Sequence, residues 1–130
     1  MGIKVLSVDD DPDVRAFVAT VLEENGYTPF SAQDGEEGMN AIKKESPGLV
    51  ILDVLMPRGS GVRLYRELKT DAALKHIPVI VLSGIAKKSF LRSQKALTEF
   101  KGGVVPEPEI YLEKPVKAEE LAEAIRKVVG

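Results

Sequence analysis

The residue types that this sequence lacks exclude several classes of protein. It contains no cysteine, no tryptophan, one histidine and seven tyrosine or phenylalanine residues in 130. The absence of cysteine excludes disulfides, thiolate nucleophiles and cysteine-ligated zinc or iron–sulfur centres. No apolar run approaches the roughly 20 residues of a membrane span, and no charged start plus apolar segment marks a signal peptide. We therefore expect a soluble, cytoplasmic protein that makes no membrane contact.

Neither sign of charge dominates the composition. Lysine and arginine number 18 and the acidic residues number 20, which gives a formal net charge of -2 at pH 7. This balance argues against direct binding of nucleic acid by bulk electrostatics. A chain of 130 residues with 44% hydrophobic content is long enough for one core but hardly for two. We predict one domain over residues 1–130.

Two unbroken apolar runs lie in the middle of the chain. Leu49–Leu52 and Val79–Leu82 do not alternate with polar residues, which predicts strands that are buried on both faces of a parallel sheet. Three shorter apolar segments bring the expected number of strands to five, over residues 3–8, 27–32 and 110–113. Each strand is followed by a segment with helical spacing of apolar residues.

This alternation predicts an α/β fold. We expect a doubly wound, five-stranded parallel sheet with five helices on both faces, in three layers. The strand order 2-1-3-4-5 is favoured, because Pro29 cannot donate to a ladder and so places the second strand at an edge. A turn is expected over residues 57–61, before the third helix. The fourth helix is expected over residues 87–100, with a buried stripe of Phe90, Leu97 and Phe100.

Polar side chains follow four of the predicted strands. They are Asp9 and Asp10 after the first strand, Asp53 after the third, Ser83 after the fourth and Lys114 after the fifth. The carboxyl ends of parallel strands share one edge of the sheet, and neighbouring strands lie ~4.8 Å apart. Two like charges ~4 Å apart repel by about 4 kcal/mol at an effective dielectric constant near 20. A cation is therefore expected among these carboxylates.

The chemistry of the expected ligands favours a particular kind of cation. All of them are hard oxygens, and the single histidine, His76, lies elsewhere in the sequence. Mg²⁺, or alternatively Mn²⁺, is therefore favoured over zinc or copper. Mg²⁺ retains several waters and leaves room for a phosphoryl oxygen. Together with the Lys114 ammonium and the Ser83 hydroxyl, such a site would receive a phosphoryl group in transfer, with Asp53 as the central acceptor.

Taken in order, these motifs resemble the receiver domain of two-component response regulators over essentially the whole chain. The motifs are Val8-Asp9-Asp10, Leu52-Asp53 with Met56-Pro57 and Gly61, Leu82-Ser83-Gly84, and Tyr111 before Lys114-Pro115. The resemblance implies a flavodoxin-like fold, as in chemotaxis regulators. It also implies a phosphorylation switch of a phosphorelay, which is not an enzyme with a separate substrate.

The same resemblance implies the partners. A histidine kinase or a histidine phosphotransfer protein would supply the phosphoryl group. A downstream effector protein or a fused output domain would receive the signal, and a phosphorylation-dependent homodimer is compatible with the family. The surface of the fourth helix, fifth strand and fifth helix would change on phosphorylation.

The resemblance further implies a role for each site residue. Asp53 would accept the phosphoryl group. Asp10 and Asp53 would ligate Mg²⁺ directly together with the backbone carbonyl of Leu55, and Asp9 would act through water.

Ser83 and Lys114 would contact the phosphoryl oxygens in the same scheme. Ser83 and Tyr111 would form the switch, in which the tyrosine moves inward when Ser83 moves. The segment between Ser83 and Lys114 is longer than is usual in the family, with the excess near Val104–Glu109. Apolar Leu55 and Ile85, each two residues beyond a site residue, lead us to hypothesise slow self-dephosphorylation.

Two other functions fit part of the pattern. A magnesium-dependent phosphatase of the haloacid dehalogenase type also uses an aspartate at a strand end. Such enzymes resemble one another in a second aspartate two residues later, where this chain has Leu55. A phosphorylation-independent interaction module would keep the fold, but it would be expected to have lost one of the site residues, and here all are present.

Overall fold

The computed structural model describes residues 2–101 and 104–130, without the side chains of residues 100 and 101. Within these residues, five strands alternate with five α-helices. The strands are β1 (Lys4–Val8), β2 (Thr28–Ala32), β3 (Leu49–Leu52), β4 (Val79–Ser83) and β5 (Ile110–Glu113). The helices are α1 (Pro12–Glu24), α2 (Gly35–Glu45), α3 (Ser60–Thr70), α4 (Lys87–Lys101) and α5 (Ala118–Val129).

The sheet has the predicted topology. All four strand pairings are parallel, and the order is β2-β1-β3-β4-β5. Every residue of β3 and β4 is buried, which is the reason that both read as continuous apolar runs. Pro29 lies in β2 at the edge of the sheet, where its missing amide hydrogen removes no bond between two strands.

Helices cover both faces of the sheet and give three layers. On one face, Val50 and Leu52 pack in a core cluster with Leu64 of α3 and Phe90 of α4. On the other face, a second cluster joins strand residues to α1 and α5. Its central members are Val5, Ile51, Val18, Leu22, Leu121 and Ile125. The strand ends are thereby fixed relative to one another by packing on both sides.

Each helix begins close to the carboxyl end of the preceding strand. The Asp11 carboxylate accepts a bond of 2.9 Å from the Asp13 amide, and Pro12 follows as the first residue of α1. A capping aspartate and a first-turn proline both favour a helix start at this point. The β1–α1 turn is therefore short, and it contains Asp9 and Asp10.

The turn predicted over residues 57–61 is shorter in the structure. The prediction was wrong for residues 60 and 61, which belong to α3. A 3-10 turn covers Pro57–Gly59, and α3 begins at Ser60. Gly61 is thus the second residue of α3. Only glycine fits at this position, because a Cβ there would come within 2.3 Å of the carbonyl oxygen of Asp53. The start of α3 is therefore packed directly against the segment that follows β3.

The stripe predicted for α4 differs from the structure. Phe90 is buried as expected, but Leu97 is only half-buried, and the side chain of Phe100 lies outside the described residues. Gln94 is buried in its place, and its side-chain amide donates to the carbonyl of Val62 at 3.2 Å. The helix therefore packs on α3 partly through a polar side chain, and apolar periodicity cannot reveal a polar residue in a buried position.

The 104–109 segment, which precedes β5, is attached to α3. The hydroxyl of the fully buried Tyr65 donates to the carbonyl of Pro106. The ammonium of Lys69 binds both carboxylate oxygens of Glu109, at 3.1 and 3.2 Å. None of the helices in the described part of the chain has the length and apolarity of a membrane span.

Candidate functional site

The structure brings five of the predicted site residues together at the carboxyl ends of the strands. Asp9 and Asp53 are 3% and 5% exposed, whereas Asp10 is open to solvent. One carboxylate oxygen from each of these three acids lies within 4.8 Å of the others. We call this group the acidic pocket (Asp9, Asp10 and Asp53). Ser83 and Lys114 border it from β4 and from the end of β5.

Asp53 is held by hydrogen bonds to both of its carboxylate oxygens. Its Oδ1 accepts from the Ser83 hydroxyl at 2.7 Å and from the Leu55 amide at 2.8 Å. Its Oδ2 accepts from the Lys114 ammonium at 3.3 Å. Burial of a carboxylate is costly unless its oxygens have donors, and these three contacts meet that requirement. The side chain is therefore fixed in one orientation.

Lys114 connects two acids of the pocket. Its ammonium lies 3.0 Å from Oδ2 of Asp9 and 3.3 Å from Oδ2 of Asp53. Partial burial by itself would lower the pKa of Lys114, but the hydrogen bond and charge of Asp9 and the charge of Asp53 outweigh it and raise the pKa. The side chain is therefore a cation at neutral pH. The peptide bond between Lys114 and Pro115 is cis.

The surroundings of Asp9 disfavour the charged form of its carboxyl group. Burial raises the pKa of its carboxyl, and the nearby Asp53 charge adds to that effect, while the Asp11 amide and Lys114 oppose it. The pocket contains three carboxylates, and the one ammonium among the described residues that contacts it pairs with two of them, so an excess of negative charge remains. All the donors are hard oxygens, so the set fits a divalent cation such as Mg²⁺.

The exposed acid, Asp10, borders an open space. A cavity of about 600 Å³ extends from Asp10 between the starts of α2 and α3. Arg58 and Arg63 line its α3 side, and Asp34 and Glu36 line its α2 side. Solvent therefore reaches the acidic pocket from this direction.

Tyr111 is connected to the acidic pocket indirectly, through Ile85 and Ser83. Its hydroxyl donates to the carbonyl of Ile85 at 2.8 Å, and its ring centroid is 5.7 Å from that of Phe90. The Ile85 amide in turn lies 3.4 Å from the Ser83 hydroxyl. Burial, with smaller contributions from Glu113 and Asp53, raises the pKa of Tyr111 to about 12. The predicted switch residues are thus connected through the segment after β4.

Comparison with known proteins identifies the family to which this chain belongs. The family model of the response regulator receiver domain matches residues 5–126. The chain belongs to this family. The match covers every site residue, all of the strands except Lys4 at the start of β1, and all but the last turn of α5. The predicted family is therefore confirmed.

Some relatives of this receiver domain are about twice its length, and others have nearly the same length. The phosphate regulon transcriptional regulatory protein PhoB of Escherichia coli is 29% identical over 129 residues, which cover 99% of this chain and 52% of PhoB. The response regulator MprA of Mycolicibacterium vanbaalenii is 33% identical and is covered over 51% of its length. The chain thus spans about half the length of these relatives. The structure of the chemotaxis response regulator CheY4 of Vibrio cholerae matches with a TM-score of 0.81 and 26% identity, covering 98% of this chain and 99% of that one.

Receiver domains of response regulators are signalling switches of two-component systems rather than enzymes with separate substrates. Phosphorylation and Mg²⁺ binding fit this family, and the acidic pocket of this receiver domain fits the phosphoacceptor role. The predicted fold, with strand order 2-1-3-4-5, is confirmed by the structure and by the similarity to CheY4.

One close contact of the site was not predicted from the sequence. Arg15 of α1 donates from Nη1 to the backbone carbonyl of Asp9 at 2.6 Å. The available signal was its position four residues after the capping Asp11, because long helical side chains point back toward the helix start. The acidic motifs by themselves do not indicate this contact.

Proposed function

We propose that Asp53 is the phosphoacceptor of this receiver domain and that residues 1–130 act as one receiver unit. The observation that carries the proposal is the set of donors around this carboxylate. A hydroxyl from Ser83, an amide from Leu55 and an ammonium from Lys114 all point at its oxygens. Donors fixed in this way are what a phosphoryl group in transfer requires.

The proposal includes a divalent metal, Mg²⁺ or in its place Mn²⁺. Asp10 and Asp53 would be direct ligands with the backbone carbonyl of Leu55, and Asp9 would act through a water. The crowding of three carboxylates within 4.8 Å, with oxygen donors alone, supports this assignment. When bound, the ion neutralises charge on the phosphoryl oxygens.

The transfer step uses this chain's own groups as follows. One carboxylate oxygen of Asp53 attacks the phosphorus of a phosphohistidine. The new O–P bond forms as the N–P bond breaks, and the released imidazole takes a proton from solvent. Lys114 and Ser83 donate to the phosphoryl oxygens, which gain negative charge in the transition state. The chain thus catalyses its own modification and is returned to its starting state by hydrolysis.

A histidine kinase or a histidine phosphotransfer protein is the proposed donor. An apolar cleft of about 290 Å³ beside Lys114 supports a protein donor, because it offers apolar surface next to the acceptor. Val14, Phe17, Pro115 and Val116 line this cleft. A small phosphodonor needs no such surface, so the cleft would matter only for transfer between proteins.

The proposed switch begins at Ser83. Its hydroxyl now binds Asp53, and a phosphoryl group on Asp53 would compete for it. Movement of Ser83 would reach Tyr111 through Ile85 and so change the surface of α4, β5 and α5. The signal would pass to an effector protein, to an output domain or to a second phosphorylated copy. This chain spans about half of PhoB and MprA but 99% of CheY4, so these relatives are compatible with a fused output domain and with a separate effector protein. A cytoplasmic location is proposed together with this role.

The experiment is incubation with acetyl phosphate and Mg²⁺, read by intact mass. We expect one phosphoryl group on the wild type, none on Asp53→Asn, and none on the wild type with EDTA. Asp34→Asn, which changes a helix-capping aspartate outside the pocket, is the matched control and should be phosphorylated. No gain by a folded, metal-binding wild type would contradict the proposal and favour a phosphorylation-independent interaction module.

A further inference from the structure

Asp9 makes hydrogen bonds to four separate parts of the fold. Its amide donates to the carbonyl of Ala32 at 3.1 Å, and its Oδ1 accepts from the Asp11 amide at 2.9 Å. Its Oδ2 accepts from Lys114 at 3.0 Å. The fourth bond runs from Arg15 to its backbone carbonyl, at 2.6 Å. This last contact has no part in the function proposed above.

The place of Arg15 in α1 is not one that favours a cation. It is the fourth residue of the helix, near the end where the helix dipole is positive and a positive side chain is disfavoured. Among the described residues Arg15 forms no ion pair, although Asp11 and Asp13 are close in sequence. Its half-buried side chain crosses the β1–α1 turn to a backbone oxygen. The contact therefore bears on the geometry of the turn.

We propose that Arg15 is a positioning residue for the metal ligand Asp10. The carbonyl of Asp9 and the amide of Asp10 belong to one planar peptide unit, so anchoring that oxygen fixes the plane from which Asp10 departs. The Asp10 carboxylate is exposed and, within the part of the chain that the structure describes, accepts no hydrogen bond. No other group of the described chain therefore holds this side chain, and the backbone at Asp10 sets the position from which it extends. The inference rests on the proposed function, in which Asp10 binds Mg²⁺ directly.

Positioning and electrostatics predict opposite effects of Arg15→Ala on Mg²⁺ affinity. Loss of a positive charge near the pocket would by itself strengthen the binding of a cation. Release of the peptide between Asp9 and Asp10 would weaken it, because the ligand must then be ordered when the metal binds. We expect the second effect to dominate and the dissociation constant for Mg²⁺ to rise by about tenfold, as for other residues that orient metal ligands.

The test is calorimetric titration of MgCl₂ into the full chain without a phosphodonor. Arg15→Lys keeps a charge and a donor and should stay within about threefold of the wild type. Arg126→Ala, which changes an exposed arginine in the last turn of α5, is the matched control and should bind as the wild type does. Circular dichroism verifies that each variant is folded, and Arg15→Gln replaces Arg15→Ala if that variant is not.

A kinetic measurement separates positioning from a general loss of structure. At saturating Mg²⁺ the rate of phosphorylation of Arg15→Ala by acetyl phosphate should return to the wild-type value. Unchanged or tighter Mg²⁺ binding by Arg15→Ala would overturn the role of Arg15, and so would an Arg15→Lys variant as weak as Arg15→Ala. A wild type that binds no Mg²⁺ would overturn the proposed function as well, so the two failures are distinguishable.

Discussion

Leu55 stands beside the acidic pocket with 59% of its surface exposed, and its amide donates to Asp53. Hydrolysis of an aspartyl phosphate needs a water aligned with the phosphorus, and polar side chains near the site can direct it. The apolar side chains of Leu55 and Ile85 cannot hydrogen-bond to a water and therefore cannot direct it. We therefore expect slow self-dephosphorylation.

Leu55→Asn should therefore shorten the lifetime of the phosphoryl group. We expect the wild-type group to persist for minutes or longer and the variant to lose it about tenfold faster, because the amide can orient water. The lifetime is measured by intact mass after removal of the phosphodonor. Ile3→Asn, which changes an exposed apolar residue at the opposite end of β1, is the control. A wild-type lifetime of seconds would contradict the expectation.

Tyr111 gives a prediction for stability at alkaline pH. An unfolded tyrosine loses its proton near pH 10, whereas burial raises the pKa of folded Tyr111 to about 12. Between these values the folded state binds more protons than the unfolded state, so its stability falls as pH rises. Urea unfolding of the wild type should show this fall between about pH 10 and about pH 12. Tyr111→Phe should show a smaller fall, and an equal one would contradict the assignment.

At the scale of elements, the 104–109 segment is joined to the rest of the fold by polar contacts. Lys69 is 3% exposed in its side chain, and it donates to the carbonyl of Ile77 as well as to Glu109. Glu109 also accepts from the Val79 amide at 2.7 Å. One ion pair therefore joins α3, the start of β4 and the segment before β5. Apolar periodicity gave no signal for it, because the partners lie 40 residues apart.

Two glutamates of this segment form a matched pair for mutagenesis. Glu109→Ala leaves the buried Lys69 ammonium without its anion. Because the Glu109 side chain is itself 40% exposed, we expect the free energy of unfolding to fall by about 2 kcal/mol, less than for a fully buried pair. Glu107→Ala breaks an ion pair with Lys87 whose partners are 60% and 50% exposed, and it should cost less than about 1 kcal/mol. Urea unfolding at neutral pH measures both. Equal losses would contradict the burial argument.

The strands could be predicted from the sequence, whereas the buried face of α4 could not. The strands were predictable because unbroken apolar runs such as Val79–Leu82 require burial on both faces. The buried face of α4 was not, because Gln94 takes a core position through a side-chain bond to α3. A polar residue at such a position is indistinguishable from a surface residue until its partner is known.

In the molecule as a whole, the strand order is what makes the location of the site predictable. Once the order 2-1-3-4-5 was inferred, the ends of β1, β3, β4 and β5 had to lie on one edge, and the polar residues that follow them had to meet. Their individual hydrogen bonds could not be inferred in the same way. The direct contact between Ser83 and Asp53 and the contact of Arg15 with Asp9 depend on rotamers, which spacing in a sequence does not determine.

In the proposed function, Asp53 alone accepts the phosphoryl group. Borohydride reduces an acyl phosphate to an alcohol, so reduction after treatment with acetyl phosphate and Mg²⁺ converts a phosphorylated aspartate into homoserine. Peptide sequencing by tandem mass spectrometry then locates it. We predict homoserine at position 53 and unmodified aspartate at positions 9 and 10. Homoserine at position 9 or 10, or none in a chain that has gained a phosphoryl group, would show that Asp53 is not the sole acceptor.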